Sequence, residues 1–425
     1  MQPSHKSLFG FSVLYVLCIS GTPALGQGTN LIQSEVDSAV EGSLWKLGPL
    51  RLTPQIRIGA GYDSNSLSST EAPFGDFAAT VAPGIGVATL MRNRAIIEVF
   101  EELDFTYYRD IESLRNVSNA TRVGGKVGGR RLLLRVEDEF LTGTTRPTSE
   151  SDVPADRRNN VLTAAIDIAV GNKQLVTTTY QYQRYDYLEL EDQGALLDPL
   201  RSIERLNRTT QDFGLRFTHR LTAKTSAAVE GWYETVTFDD AASLRDGHSL
   251  SGAAGFLFDP KTNVRGEAWL GYKEMRPEFP EQPEYRGIVG SVDVKTRLGD
   301  RFDVTTLYSR DTLPSVVRGN WYFIEHRFGG AVDIYVTPSF YVSPGATFGR
   351  NNYPRPTVFV DESGQVVEQR IEDRFDIYSL AFGYHMGDLW TATVQGNYLD
   401  RVSNFSPFTK DRLFVSFGIS TAIAP

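Results

Sequence analysis

The feature that most constrains this chain is a repeated alternation of apolar and polar residues, which begins near Leu50 and continues to the C-terminus. Each stretch runs for about 11 to 16 residues and then breaks at Gly, Pro, Asn or Asp. In residues 264–272, one face carries Val264, Leu270 and Tyr272, and the other carries Arg265 and Glu267. A period of two that separates apolar from charged residues indicates a β-strand with an apolar medium on one side and water on the other.

The breaks between these stretches form two classes that alternate along the chain. Eight are short and lie at residues 91–94, 128–130, 171–173, 222–224, 259–262, 299–301, 337–339 and 386–388. Nine are longer and polar, near residues 63–75, 109–117, 143–159, 189–205, 239–247, 276–284, 314–319, 352–370 and 403–410. Tight periplasmic turns and long outer loops are typical of outer-membrane barrels. The pattern therefore predicts an all-β fold, a transmembrane antiparallel up-and-down β-barrel of about 18 strands over residues 50–425.

Composition excludes two other classes of protein. After the N-terminus there is no apolar run of about 18 residues, so the chain does not cross a membrane with helices. The net charge of -9 argues against nucleic acid as a partner, because phosphate binding requires a basic surface.

The first 26 residues are typical of a cleaved export signal. Lys6 supplies the positive start, residues 8–19 are apolar, and residues 21–26 contain small side chains suited to cleavage near Gly26. The alternative, a lipid anchor on Cys18, is disfavoured because Leu17 precedes it where a small residue is expected. Cys18 is the single cysteine, so the mature chain would carry no thiol, as suits an oxidising periplasmic route.

Residues 27–49 form a short periplasmic segment that differs in character from the repeats. Leu31, Val36 and Val40 approach helical spacing within an acidic stretch. Two alternatives stay open at this point. The segment is either a disordered tail or a small helix that plugs the lumen or docks a partner.

The charged faces of the strands predict a hydrated lumen, since a barrel of about 18 strands is too wide for side chains to fill. The candidate lining residues are Glu230, Trp232, Arg265, Glu267, Trp269, Asp293, Lys295, Arg297, Asp303 and Arg327. Mixed charge favours a passage without strong ion preference, because selectivity arises from rings of a single sign. The alternative is that these charges satisfy one another in cross-strand pairs. Trp232 and Trp269 would either offer flat faces to a saccharide or pack within the lumen.

Two carboxylates do not fit simple alternation. Glu101 and Asp138 fall on the outward faces of their strands, where charge is destabilising at mid-membrane. We expect a β-bulge that shifts the register by one residue and turns both side chains inward.

No residue pattern predicts catalysis, a metal site or a cofactor. His219, His248, His326 and His385 are isolated and lack the spacing of metal ligands. Residues 247–251 depart from the Gly-x-Ser-x-Gly motif at the last position. A non-enzymatic protein is therefore expected, with a hydrolase that uses His248 and Ser249 at the barrel rim as the alternative.

The opening strand carries a family resemblance. It runs Pro49-Leu50-Arg51-Leu52-Thr53-Pro54 and ends in Gly61-Tyr62-Asp63-Ser64-Asn65. This resembles the start of an outer-membrane β-barrel porin family linked to exopolysaccharide loci, and the similarity of layout extends over about residues 48–425. The resemblance implies the outer membrane of a Gram-negative bacterium and a role beside polysaccharide-export machinery. It implies no catalytic residues.

The sequence thus predicts a channel or scaffold for hydrophilic cargo, and the resemblance implies exopolysaccharide as that cargo. Loops 143–159, 189–205 and 352–370 are the candidate gates. A general porin for small solutes and a structural barrel with a closed lumen are the alternatives. The expected partners are outer-membrane lipid and lipopolysaccharide, the barrel-assembly machinery, and polysaccharide with its export proteins. No cofactor is expected.

Overall fold

The computed structural model describes residues 30–70, 72–91, 94–188, 203–240, 244–317, 319–360 and 365–421. The predicted export signal at residues 1–26, with Cys18, lies outside the described residues, as does most of the candidate gate at 189–205. No helix in the described ranges is both long and apolar enough to span a bilayer.

The wall consists of 18 long antiparallel strands. After β1 (Trp45–Leu47), they are β2 (Leu50–Asp63), β3 (Asp76–Met91), β4 (Ala95–Tyr108), β5 (Asn116–Gly128), β6 (Leu132–Thr145), β7 (Ala155–Val170), β8 (Gln174–Leu188), β9 (Arg208–Arg220), β10 (Thr225–Phe238), β11 (Gly247–Phe258), β12 (Val264–Pro277), β13 (Tyr285–Leu298), β14 (Phe302–Pro314), β15 (Tyr322–Tyr335), β16 (Phe340–Asn352), β19 (Glu372–Met386), β20 (Trp390–Ser403) and β21 (Lys410–Thr421). Each pairs with its neighbours in chain order, and β2 pairs with β21 to close the sheet. The predicted all-β antiparallel barrel of about 18 strands is confirmed.

The remaining elements are few. A helix, α1 (Leu31–Glu41), precedes the barrel, and a hairpin of β17 (Thr357–Val360) and β18 (Val366–Gln369) lies in the loop between β16 and β19. Short 3-10 turns occupy Glu112–Leu114, Ile203–Leu206 and Ser406–Phe408 in the outer loops.

The two ends of the barrel differ in their connections. Short turns join strands at one end, and Gly171, Gly299 and Gly387 occupy three of them with φ of 74°, 61° and 65°. Only glycine adopts this left-handed conformation freely, which explains why these turns are so tight. The long loops lie at the other end, so this end is the outer mouth and the turn end is the periplasmic mouth.

The strands alternate between an outward apolar face and an inward polar face. In β21, Leu413, Val415 and Phe417 point outward and are exposed, whereas Arg412 and Ser416 point inward and are buried. Exposed apolar side chains on one continuous face are what a lipid-facing wall requires.

The seam between the first and last barrel strands is divided. β21 pairs with β2 only over Arg57–Asp63, and β1 pairs with β2 over Leu50–Leu52. The short strand therefore covers part of an edge of β2 that β21 leaves free near the periplasmic mouth.

The expected β-bulge is absent, and that prediction is wrong. The register runs without a shift from β3 through β7, so Glu101 and Asp138 stay on the outward face. Their oxygens are instead bonded by neighbouring outward side chains. Thr121 donates to Glu101 at 2.6 Å, and Asn160 donates to Asp138 at 2.9 Å. Hydrogen bonds, and not a shift of these side chains to the inward face, therefore compensate the two carboxylates for the loss of water.

Candidate functional site

The ten candidate lining residues all occupy inward positions on one arc of the wall, from β10 to β15. They are Glu230 and Trp232 in β10, Arg265, Glu267 and Trp269 in β12, Asp293, Lys295 and Arg297 in β13, Asp303 in β14, and Arg327 in β15. Most of their outward neighbours are apolar, and Leu270 beside Trp269 is 67% exposed. The structure therefore brings these residues together on the lumen side of neighbouring strands.

Several charges on this arc pair obliquely, whereas Glu230 and Arg297 pair straight across with Arg216 and Asp303. Arg265 directly faces Lys295 in the register, and Asp303 directly faces Asp333. Three cations reach a carboxylate two strands away instead: Arg265 to Asp303 at 3.3 Å, Lys295 to Asp333 at 2.7 Å, and Lys273 to Asp311 at 3.3 Å. Tilted strands bring such diagonal positions to one level, which offsets the repulsion between like charges placed directly opposite.

Asp303 is the centre of this arrangement. Its carboxylate is fully buried and lies 3.3 Å from Arg265, 3.6 Å from Lys295 and 3.8 Å from Arg297. A buried carboxylate is stable only with such partners. Three cations around one buried anion leave this patch of the wall with positive charge that Asp333 only partly balances.

A second pair of carboxylates lies next to this patch. Glu267 directly faces Asp293 across β12 and β13, and Asp293 is exposed. Because Asp293 points into the barrel, its exposure means that the lumen is open to water at this level. The arc therefore presents adjacent areas of opposite sign to whatever enters the lumen.

The two inward tryptophans lie against glycines of the neighbouring strands. A Cβ on Gly214 would meet Trp232 at 2.5 Å, and one on Gly255 would meet Trp269 at 2.6 Å. The guanidinium of Arg216 lies 4.9 Å from the ring of Trp269. Glycine at these positions thus lets the indole rings lie along the wall instead of projecting into the passage.

The outer mouth is crossed by the loop between β6 and β7, residues 146–154, which we call the inward loop. Arg146, Glu150 and Asp152 in this loop are all buried. Arg146 lies 3.6 Å from Asp63 of β2, and Asp152 lies 2.6 Å from Lys410 of β21. Because β21 and β2 lie several strands away around the wall, these contacts require the loop to cross the inside of the outer mouth.

Residues of β2, β19, β20 and β21 form further ion pairs around the inward loop. Arg412 donates to Asp63 at 2.7 Å, behind Arg146. Arg401 lies 3.6 Å from Asp152 and 2.7 Å from Asp373. The loop is thereby held by chains of alternating charges, each member having a partner of opposite sign.

Glu150 fixes the far end of the inward loop to the β14–β15 loop, residues 315–321. Its carboxylate accepts hydrogen bonds from the Ser315 hydroxyl at 2.6 Å and the Val316 N–H at 2.5 Å. Val316 packs with Ala155 and Tyr187 of the β7–β8 wall. Two loops from opposite sides therefore meet inside the outer mouth and constrict it.

The electrostatics of the inward loop follow from its burial. Burial raises the pKa of Glu150 to about 7, although Ser315 and Val316 donate to the carboxylate. Burial would also raise the pKa of Asp152, but Lys410 and Arg401 hold it well below its usual range. Burial lowers the pKa of Arg146 to about 10. Glu150 is thus the member of this set whose charge changes near neutral pH.

The match to a known protein family covers the strands of the barrel. Residues 45–419 match the family described as putative beta-barrel porin 2. The chain belongs to this family. The match does not concern exopolysaccharide loci, so that part of the resemblance stays a prediction.

Solved structures similar to this porin include proteins of two bacteria. OccK3 (OpdO) of Pseudomonas aeruginosa shares 12% identity with a TM-score of 0.48, covering 91% of this chain and 98% of that chain. OpdQ of the same species shares 8% identity at a TM-score of 0.47, covering 87% and 98%. The FrpB iron transporter of Neisseria meningitidis shares 10% identity at a TM-score of 0.45, covering 88% and 65%. A sequence comparison with curated proteins gave no match.

The periplasmic mouth of the porin contains helix α1. Leu31, Ile32 and Val36 are buried in one apolar cluster with inward side chains that include Leu133 and Leu175. Lys126 of β5 also lies 3.0 Å from Glu35 of the helix. Of the two alternatives for residues 27–49, residues 31–41 adopt the helix, and it packs against the inner wall.

The histidines and Ser249 do not form a catalytic arrangement. His248 points outward beside Tyr233, whereas Ser249 points inward and donates to Glu234 at 3.2 Å. Adjacent strand residues face opposite sides, so His248 cannot serve as the base for Ser249. Within the described ranges, no three His, Cys, Asp or Glu side chains are grouped to hold a metal.

Sequence reasoning identified 143–159 as a candidate gate but missed the residues that hold it. The sequence pattern that could have identified these residues lies in β20 and β21, where Arg401, Lys410 and Arg412 occupy inward positions. Three neighbouring inward cations require carboxylates nearby. Asp63 and the acidic residues of 146–154 meet that requirement.

Proposed function

We propose that this porin is a gated passive channel for small hydrophilic solutes, and that the inward loop is its gate. The observation that supports the proposal most is the way the loop is held across a polar lumen. Asp152, Arg146 and Glu150 hold it through ion pairs and hydrogen bonds. Contacts of this kind exchange readily for water, so the loop can leave the lumen without exposing a large apolar core.

The passage itself is suited to hydrophilic solutes. Its wall presents both signs of charge, and most of these charges are paired with one another. Such a wall stays hydrated without the single-sign ring that gives strong ion selectivity. The exposed Asp293 indicates that water reaches the middle of the lumen.

Single-channel recording in planar bilayers tests the proposal. Asp152→Asn removes the loop's ion pairs to Lys410 and Arg401 and is expected to raise the open probability. Glu112→Gln is the matched control, since among the described residues Glu112 forms an ion pair only with the nearby Arg115, in another outer loop. It is expected to behave like the wild type. If neither the wild type nor a variant with the inward loop shortened to a glycine linker opens, the structural barrel with a closed lumen is the better explanation.

The second candidate function is the passage of polysaccharide. The inward Trp232 and Trp269 support it, because flat aromatic faces two strands apart can stack on sugar rings. Polysaccharide-export proteins would then be partners at the periplasmic mouth. In a strain that carries Trp232→Ala and Trp269→Ala, surface polysaccharide should fall while uptake of small solutes persists. Trp390→Ala is the control, because Trp390 is exposed near the periplasmic turn. Unchanged surface polysaccharide after deletion of the gene would exclude this candidate.

A further inference from the structure

The outward face of β14 to β19 carries a row of basic side chains in direct register. Arg310 of β14 faces His326 of β15, His326 faces Arg350 of β16, and Arg350 faces Arg374 of β19. All four are at even-numbered positions, which point outward on these strands together with the exposed Phe328. Arg350 and Arg374 thus place like charges directly opposite each other, which is destabilising unless something compensates them.

The chain compensates only one end of this row. Arg374 lies 2.6 Å from Asp376. Arg310 donates to His326 at 3.4 Å and to the carbonyl of Ile288. Within the part of the chain that the structure describes, no carboxylate lies within 4.0 Å of Arg310 or Arg350. The charge of these two arginines is therefore left for an external anion.

An aromatic row lies directly on the periplasmic side of the basic row. Tyr308, Phe328 and Phe348 are paired in register across the same three strands and are 37%, 56% and 41% exposed. Outward aromatic residues mark the boundary between hydrocarbon and headgroups. The basic row consequently lies at the level of the outer-leaflet headgroups.

The sign of the charge changes at the edge of this surface. Next to Arg374, Asp376 faces Asp400 of β20, and Asp400 faces Asp411 of β21, all on the outward side. These carboxylates would repel an anion. The attractive surface is thus confined to Arg310, His326 and Arg350, about 10 Å across at two interstrand spacings.

We propose that Arg310, His326 and Arg350 bind a phosphorylated lipid of the outer leaflet. The phosphates would lie on the basic row, where guanidinium groups donate charge-assisted hydrogen bonds. The acyl chains would lie on Tyr308, Phe328 and Phe348. This site is on the outside of the barrel and does not depend on what passes through the lumen.

Native mass spectrometry of the purified porin in detergent tests the site, with bisphosphorylated lipid A as the probe and phosphatidylethanolamine as the comparison lipid. The test variant is Arg310→Gln with Arg350→Gln. The matched control is Arg158→Gln with Arg286→Gln, since both are arginines near the outer ends of their strands. Arg158 faces Asp186 in the register, and Arg286 lies 3.0 Å from Glu284.

The test variant should bind lipid A about 25-fold more weakly, because it lacks two arginines and each basic residue near a charged surface contributes about a factor of five. The control pair should stay within about twofold of the wild type. Equal affinity of the test variant and the wild type would overturn the proposal. So would an equal loss of phosphatidylethanolamine binding, since that lipid carries no net charge near neutral pH and is attracted by the basic row much less than lipid A.

Two measurements on the wild type keep the proposal testable if the test variant does not fold. Raising the salt from about 0.05 M to about 0.5 M should weaken lipid A binding and leave phosphatidylethanolamine binding unchanged. A salt-independent affinity would overturn the site. Inorganic phosphate at an equal concentration should not displace lipid A, because it lacks the acyl chains. Full displacement would show an ion site and overturn the assignment to lipid.

Discussion

Asp152 of the inward loop lies 2.6 Å from the ammonium group of Lys410, a residue 258 positions later in the chain. Both side chains are buried inside the outer mouth. A buried pair of this kind is strongly destabilised when one member is removed and much less so when both are replaced. Variants of this pair therefore test whether the inward loop acts as a gate.

The first prediction concerns that pair. Asp152→Asn leaves Lys410 buried without its carboxylate, which disfavours the closed loop by about 3 kcal/mol. Adding Lys410→Met removes the unpaired ammonium, so the double variant should be closer to the wild type in open probability than the single variant. Single-channel recording measures this. A double variant as open as Asp152→Asn would show that the pair does not hold the gate.

The second prediction concerns pH. Burial raises the pKa of Glu150 from 4.5 to about 7 in the closed loop, whereas an open loop exposes it to water. Between these values the closed form keeps the proton that the open form releases, so closure weakens as pH rises, by up to about 3 kcal/mol. Open probability should increase from pH 5 to pH 8.

Glu150→Gln is the control for this experiment, since an amide does not titrate in this range. It should keep the acceptor oxygen for Ser315 or Val316 and abolish most of the pH dependence. A channel that closes as pH rises would contradict the assignment of Glu150 as the titrating group.

The third prediction concerns the outward carboxylate at mid-membrane. Glu101→Gln removes a charge from the lipid face and keeps an oxygen for Thr121, so the free energy of unfolding in vesicles should rise by about 1 kcal/mol. Glu139→Gln is the inward control; it loses an ion pair with Arg122 and should not be stabilised. If Glu101→Gln lowers the free energy of unfolding, the hydrogen bonds from Asn119 and Thr121 to the carboxylate outweigh the cost of its charge on the lipid face.

The fourth prediction concerns helix α1. Val36→Asp places a carboxylate in the apolar cluster with Leu31 and Leu133, which should release the helix from the wall. The strand pairings do not involve the helix, so the barrel should stay folded while conductance rises. Ser38→Asp adds the same charge at an exposed position and should leave conductance unchanged. Equal conductance in both variants would mean that the helix does not obstruct the lumen.

The barrel and its strand number could be predicted because each wall residue has one of two environments. A shift of the strand register by one residue would place Arg265 in lipid and Leu270 in water. The register is therefore visible in the sequence as an alternation of apolar and polar residues with a period of two. The same logic placed Asp293 and Trp269 on the lumen side. It also predicted which loops are long, because turns and loops lie at opposite ends.

The gate contacts could not be predicted in the same way. Pairing of Asp152 with Lys410, or of Glu150 with Ser315, depends on where a loop ends after it leaves the wall, and no periodicity governs that path. The prediction of a β-bulge at Glu101 was wrong for a different reason. The sequence shows a charge on the outward face, but not that Thr121 on the next strand hydrogen-bonds it.

The divided seam has a consequence for how the porin assembles. The contact between Ala60 and Phe417 joins the two ends of the wall, so this part of the sheet cannot form until nearly all of the chain is available. Until then β2 has an unpaired edge that invites pairing with other chains, and β1 protects only its first residues. Closure of the barrel is therefore a late event in assembly. The intermediate in which the sheet has formed but β21 is not yet paired with β2 is the one most prone to aggregation.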